Sequence, residues 1–239
     1  MQWLIWLLSN QWLVAVNLLS GFILFLGFLA PVLQAEGMTA ESQRVYRFLA
    51  SHNHQLPQRS YFLFGENGGV QTYSIPQLIN AGADPQRLES FVGNAEIGFK
   101  MALNQRMVAI FVAIFLGGVW WGLAGRRPQL DLVLLLLMAL PLLIDGFSHM
   151  ASERSGSGFR ESNSWAVILT AGAFSPDFYG GSTLGSLNWW LRTLTGLLFG
   201  FGLIWYLNTY LSARFAAVQV KLEPKLRRAG LLKTLPNRE

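Results

Sequence analysis

The sequence predicts an all-α, polytopic integral membrane protein: a four-transmembrane-helix bundle carrying two ordered extracytoplasmic loops. Three observations predict it. Of 239 residues, 52% are hydrophobic and only 13% are charged, about half the charge a soluble domain carries. The mean hydropathy is +0.35. Four segments reach the roughly 20 apolar residues needed to cross a bilayer.

The first span runs over about residues 12–33 without a charge. The apolar stretch from Trp3 to Leu8 precedes it across a polar Ser9-Asn10-Gln11 step, as an interfacial lead-in or a continuation of the same helix. No Lys or Arg comes before this core, and Leu33 fits poorly at the third position before a cleavage site. The segment is expected to be a retained anchor, because a signal peptide wants a basic start and a shorter core. The second span covers about 107–124, the third 130–147 through the run from Leu132 to Ile144, and the fourth 187–211.

Orientation follows from basic residues near the membrane ends. Arg126 and Arg127 lie between spans two and three. Arg214, Lys221, Lys225, Arg227, Arg228, Lys233 and Arg238 crowd the tail, 212–239, against Glu223 and Glu239. The loops at about 35–106 and 148–186 carry no basic excess. Both termini are therefore expected in the cytoplasm and both loops outside, with Trp120-Trp121 and Trp189-Trp190 at the interfaces. The tail can attract anionic lipid as well as set orientation. Nucleic acid is not expected, since no nucleic-acid fold motif accompanies the charge.

The first loop is too long for an unstructured connection. Thr39 to Leu49 reads as a short helix with Val45, Phe48 and Leu49 on one side and Glu41 and Arg44 on another. Four consecutive residues, Tyr61 to Phe64, are too apolar to be left in water, so His54 to Gly65 is expected to pack near the outer ends of spans three and four. Asn94 is expected to cap a helix running straight into span two, with Glu96, Lys100 and Asn104 on one face at spacing four. In the second loop, Trp165 to Ala173 is apolar but too short to span, as a surface helix would be.

These stretches carry a resemblance. The run His54-Gln55-Leu56-Pro57 with Arg59-Ser60 and Phe62-Leu63-Phe64-Gly65 resembles the first signature of a family of uncharacterised prokaryotic membrane proteins. Further similar pieces are Val92-Gly93-Asn94, Gly98, Lys100, Gln105-Arg106, Asp145-Gly146-Phe147, and Asn188 with Arg192, Thr195 and Gly196. The resemblance spans about residues 50–205. It implies a polytopic helical protein of the prokaryotic cytoplasmic (inner) membrane and supplies no activity. Relatives often carry cysteine where this chain has Asn53 and Asn104, so chemistry resting on two thiols is not expected here.

The chain has no cysteine, which removes disulfides, thiolate metal sites and thiol nucleophiles. No P-loop, Gly-x-Ser-x-Gly, His-Glu-x-x-His or dinucleotide fingerprint appears. Three histidines, His52, His54 and His149, share the outward side with Asp145, Glu153 and Glu161, a donor set that suits a Zn²⁺-type metal ion. The competing account makes one of them structural near Arg59 and leaves two in solvent. Asp145 and Arg192 fall at similar depth on consecutive antiparallel spans. An intramembrane arginine is costly unless paired, so the two are expected in one polar network, directly paired or bridged by Asn188 or water. Gly118-x-x-x-Gly122 and Gly196-x-x-x-Gly200 are faces that let helices approach closely.

Two classes of function remain open at this point. One is a non-catalytic subunit or accessory component of a larger membrane complex, which the absence of catalytic motifs favours slightly. The other is a small membrane-embedded enzyme or transporter whose outward pocket, built from Arg59, Lys100, Asp145, Arg160, Asn188 and Arg192, takes an anionic group.

Overall fold

The structure is a computed structural model that describes residues 1–50, 55–124 and 128–232. In chain order its elements are α1 (Gln2–Ala35), α2 (Thr39–Ala50), β1 (Ser60–Leu63), α3 (Ile75–Asn80), β2 (Gly93–Asn94), β3 (Gly98–Asn104), α4 (Gln105–Ala124), α5 (Leu132–Ser155), α6 (Phe159–Ser162), α7 (Ser164–Leu169), α8 (Pro176–Tyr179) and α9 (Leu187–Arg228). Four of these, α1, α4, α5 and α9, are long and apolar enough to cross a membrane. This is a polytopic helical membrane protein. Large apolar side chains such as Leu18, Phe22, Leu136, Ile144 and Leu194 remain exposed along the four helices, as a lipid-facing surface requires.

The bundle is held by small residues. Along the contact of α4 with α9, a Cβ placed on Gly200 would lie 2.4 Å from the Ile110 carbonyl oxygen, and one on Gly196 would lie 3.0 Å from that of Arg106. On the other face of α4, Gly118 receives Asn17 of α1, and Gly122 lies against Leu13. Both small-residue faces thus pack the protein's own helices.

Three helices outrun their expected lengths. Residues 3–8 continue the first helix, with non-helical dihedrals only at Gln11. The polar step therefore bends the helix without ending it. The third helix starts at an Asp131 cap, whose side chain accepts from the Leu134 amide at 2.8 Å, and persists to Ser155, where Gly156 in the left-handed region stops it. His149 accordingly belongs to the helix rather than to the second loop. α9 has 42 residues, about 63 Å at 1.5 Å per residue, twice what a bilayer core needs. Its extension is the expected basic tail as far as Arg228. It packs along the start of α1, where Gln219 Nε2 donates to the Ser9 carbonyl at 2.8 Å and Phe215 meets Trp12 at 6.0 Å.

The first loop departs most from expectation. In place of a helix capped by Asn94 stands a three-stranded antiparallel sheet, ordered β1-β3-β2. Asn94 makes a turn, its Oδ1 accepting from the Ile97 amide at 3.0 Å. Gly93 and Gly98 both have positive φ, and a Cβ on Gly93 would lie 2.0 Å from the Gly98 carbonyl oxygen, so the hairpin needs both glycines. From Gly98 to Ala102, β3 alternates buried and half-buried positions, the period of two expected of a strand. The helix begins only at Gln105, with Asn104 Oδ1 accepting from the Met107 amide at 2.9 Å.

β3 packs on α1 and α2 through Ala30, Tyr46, Leu49, Ala102 and Leu103. The buried face of α2 is Ser42, Tyr46 and Leu49, whereas Phe48 is exposed. Of the apolar quartet, Phe62 and Leu63 are buried and Phe64 is about half exposed, its ring 6.0 Å from Phe28 of α1. Phe62 belongs to a small core with Leu78, Ala83 and Ile97. Tyr61 and Arg59 reach the third and fourth membrane helices: Trp189 Nε1 donates to Tyr61 Oη at 2.9 Å, and Arg59 pairs with Glu153.

Lys100 illustrates what the strand does. Its side chain is 1% exposed, and Nζ donates to the carbonyls of Gln55 at 3.0 Å and Glu89 at 2.6 Å. Burial pushes its pKa down to about 8. The folded protein therefore binds fewer protons than the unfolded chain between about pH 8 and the usual lysine value of 10.5. Stability should rise with pH across that window and be lowest below it. Tyr46, whose pKa burial raises, opposes the trend only above its ordinary value of 10.0. Unfolding temperatures between pH 7.5 and 9.5 should climb for the wild type and lose that slope in Lys100→Met. Equal slopes would show that Lys100 does not titrate there.

Candidate functional site

The ends of α4, α5 and α9 next to the sheet enclose a cluster of charge. Asp145, His149 and Ser152, spaced four and three apart, form the buried polar stripe of α5. Asp145 is 4% exposed. Its Oδ2 accepts from Arg106 in the first turn of α4, and its Oδ1 from Arg160 Nη2 at 2.7 Å. Gly146 makes room for the first bond, since a Cβ there would lie 3.1 Å from Arg106 Nη1.

Arg160 comes from the second loop, which folds back over the bundle. Its amide donates to Ser152 Oγ at 3.0 Å, and its guanidinium donates to Asn188 Oδ1 at 2.9 Å. Asn188 Nδ2 returns the contact, donating to the carbonyls of Arg160 at 2.5 Å and Gly181 at 2.7 Å. One asparagine at the first turn of α9 thereby clamps the loop to the bundle. Burial lowers the Arg160 pKa, with Asp145 acting in the opposite direction. The adjoining α7 ends at Leu169, short of the expected Ala173, and exposes Ile168 and Leu169.

Arg192 is 3% exposed and meets no carboxylate among the described residues. Its Nη2 lies 3.1 Å from His149 Nε2, which is also 3.3 Å from Arg160 Nη2. A guanidinium only donates. Nε2 must therefore accept, and the ring carries its hydrogen on Nδ1. Asp145 and Arg192 are thus not directly paired. Asp145 takes Arg106 and Arg160, and it joins Arg192 through Arg160 and His149 rather than through Asn188. The close α4–α9 seam at Gly196 is what brings Arg106 alongside.

Between these groups lies a cavity of about 240 Å³ lined by Arg59, Asn104, Arg106, Gly146, His149, Met150, Glu153 and Arg192. Of the residues expected in an outward pocket, Arg59 and Arg192 line it, while Asp145, Asn188 and Arg160 form its backing. Lys100 is elsewhere, because strand geometry turns it into the loop's own interior. Arg106 was not among the expected site residues. The signal lay in the cost of an arginine in the first turn of a span, hidden while residues 94–106 were read as one helix.

His52 and His54 lie outside the described residues. Among the described residues, no group of three His, Cys, Asp or Glu stands ready for a metal ion. His149 Nε2 is taken by two guanidinium groups, an unfavourable neighbourhood for a cation.

Residues 95–206 match the model of a family described as predicted membrane protein DUF2085, a family of unknown function. The matched region holds α4, α5, the second loop and the start of α9, and with them Arg106, Asp145, His149, Arg160, Asn188 and Arg192. No curated protein and no solved structure matches the chain.

Proposed function

Starting from that membrane-protein family, we propose that the protein binds an anionic group in the cavity between α4, α5 and α9. The observation that carries this reading is the buried guanidinium of Arg192, which has no carboxylate partner and whose Nη1 has no hydrogen-bond acceptor. Arg59, Arg106, Arg160 and Arg192 face Asp145, Glu153 and Glu161, so the cluster keeps an excess of one positive charge. A charge buried at membrane depth is expensive. An anion would neutralise it and accept its free hydrogens. A purely structural subunit role leaves that cost without a return, so the ligand-binding reading is favoured over it.

The basic residues at the other end of the bundle support a cytoplasmic tail and an outward-facing cavity. The chain's lack of cysteine makes this simple to test. A single cysteine at Ser157 in the second loop should react with a membrane-impermeant maleimide in intact cells. One in the α9 extension, at Gln219 or beyond, should not, and the reverse pattern would invert the topology.

The binding test uses Arg192→Met in mild detergent. Titrating a mixture of phosphate and acetate should raise the wild-type unfolding temperature, by about 2.7 kcal/mol of stabilisation at a hundredfold excess over Kd. The variant should start as stable or more so, because a lone buried charge is gone, and should respond only as ionic strength dictates. A variant as responsive as the wild type would overturn the proposal.

A further inference from the structure

The residues that line the cavity carry more than one unsatisfied donor. Arg59 Nε, Arg106 Nε, His149 Nδ1 and Arg192 Nη1 are each buried without a hydrogen-bond partner, and all four residues line the same cavity. The assignment of hydrogen to His149 Nδ1 follows from the two guanidinium groups at its Nε2, so this atom is a donor as well. Glu153, the acidic residue in the lining, is already engaged by Arg59.

Geometry narrows the class of anion. The four donors come from four different segments: the turn Pro57–Arg59 before β1, the first turn of α4, the buried stripe of α5, and α9. A halide offers one centre and a carboxylate two oxygens in one plane. A tetrahedral oxyanion offers oxygens in several directions, which suits donors that arrive from separate elements. Arginine forks are the usual partners of such groups. The surplus of one positive charge also fits a phosphate ester, which carries at least one negative charge at neutral pH.

Resting on the anionic-group reading above, we propose that the pocket is specific for a tetrahedral oxyanion of the phosphate class. Arg192, Arg106, Arg59 and His149 supply its donors, and Asp145 and Asn188 hold those donors in place without touching it. The same chemistry can come from free phosphate or from a lipid headgroup.

The experiment uses the full chain in neutral detergent, with inorganic phosphate, sulfate, acetate, chloride and dihexanoyl phosphatidylglycerol at matched pH and ionic strength. Thermal unfolding reports binding. Phosphate and sulfate should half-saturate at roughly tenfold lower concentration than acetate or chloride. Arg192→Lys keeps the charge but loses the fork, so it should retain a response to anions while losing the preference for phosphate. Tighter binding of the short-chain lipid than of phosphate would assign the site to a headgroup; tighter binding of phosphate would assign it to the free ion, and either upholds the proposal. Acetate equal to phosphate in the wild type would overturn the tetrahedral specificity and leave the anionic reading standing. No response to any of the five would overturn both.

Discussion

Asp145→Leu should be the most damaging single change in the protein, costing about 3–5 kcal/mol of stability in detergent. The carboxylate is buried and receives Arg106 on one oxygen and Arg160 on the other. Without it, two guanidinium groups face Arg192 and His149 with nothing negative between them. The loss is mostly the stranding of those charges rather than the worth of the pair itself. Asp145→Leu combined with Arg160→Met should therefore be less destabilised than Asp145→Leu alone, although it carries one more substitution. A double-mutant cycle read by thermal unfolding checks this. Additive losses would show that Asp145 and Arg160 do not depend on one another.

Gly200→Leu should come next, with a loss of about 2–3 kcal/mol or outright misassembly of the bundle. The obstacle to a side chain there is backbone, the Ile110 carbonyl oxygen at 2.4 Å, with Ala113 Cβ at 2.9 Å. Neither can rotate away, so α4 and α9 would have to part, and Arg106 would move away from Asp145. Gly122→Leu is the control, because a Cβ there meets only the Leu13 Cδ2 at 3.7 Å. Comparable losses at both positions, measured by thermal unfolding and by folded yield, would contradict the role assigned to the α4–α9 seam. The seam is where packing and the charge cluster meet: Gly196, four residues earlier, lies against the Arg106 carbonyl.

The four spans were legible because the bilayer imposes one strong rule: about 20 residues free of charge per crossing. Length and hydropathy answer to that rule directly: the observed helices contain the first, second and fourth expected spans whole and the third from Leu132 onward. The same rule says nothing once the chain leaves the hydrocarbon. Hydropathy fades after Phe147 and places His149 in the loop, yet the helix continues to Ser155 and sets His149 one turn from Asp145. The α9 extension was missed for a related reason. A basic segment that need not be apolar can still be helical when α1 supplies a surface to pack on.

Within the first loop the period was misjudged. Glu96, Lys100 and Asn104 at spacing four suggested a helix. Gly93 and Gly98 bracket a hairpin instead, and the strand that follows buries alternate residues. A run of seven residues can be written in either period, and the pairing of β3 with β1 decides between them.

The candidate site divides along the same line. That an arginine at position 192 would need partners was legible from membrane energetics, as was the involvement of Asp145 and Asn188 in the same polar network. Which groups become those partners was decided by tertiary structure. It depends on the glycine seam that places Arg106 beside α9, on the loop that folds Arg160 back onto Asp145, and on the helical turn that carries His149 to Arg192. Sequence determined that Asp145 and Arg192 fall at similar depth in the bilayer, because depth follows from a local count of apolar residues. Only the fold decided their pairing, because pairing depends on distances between segments far apart in the chain.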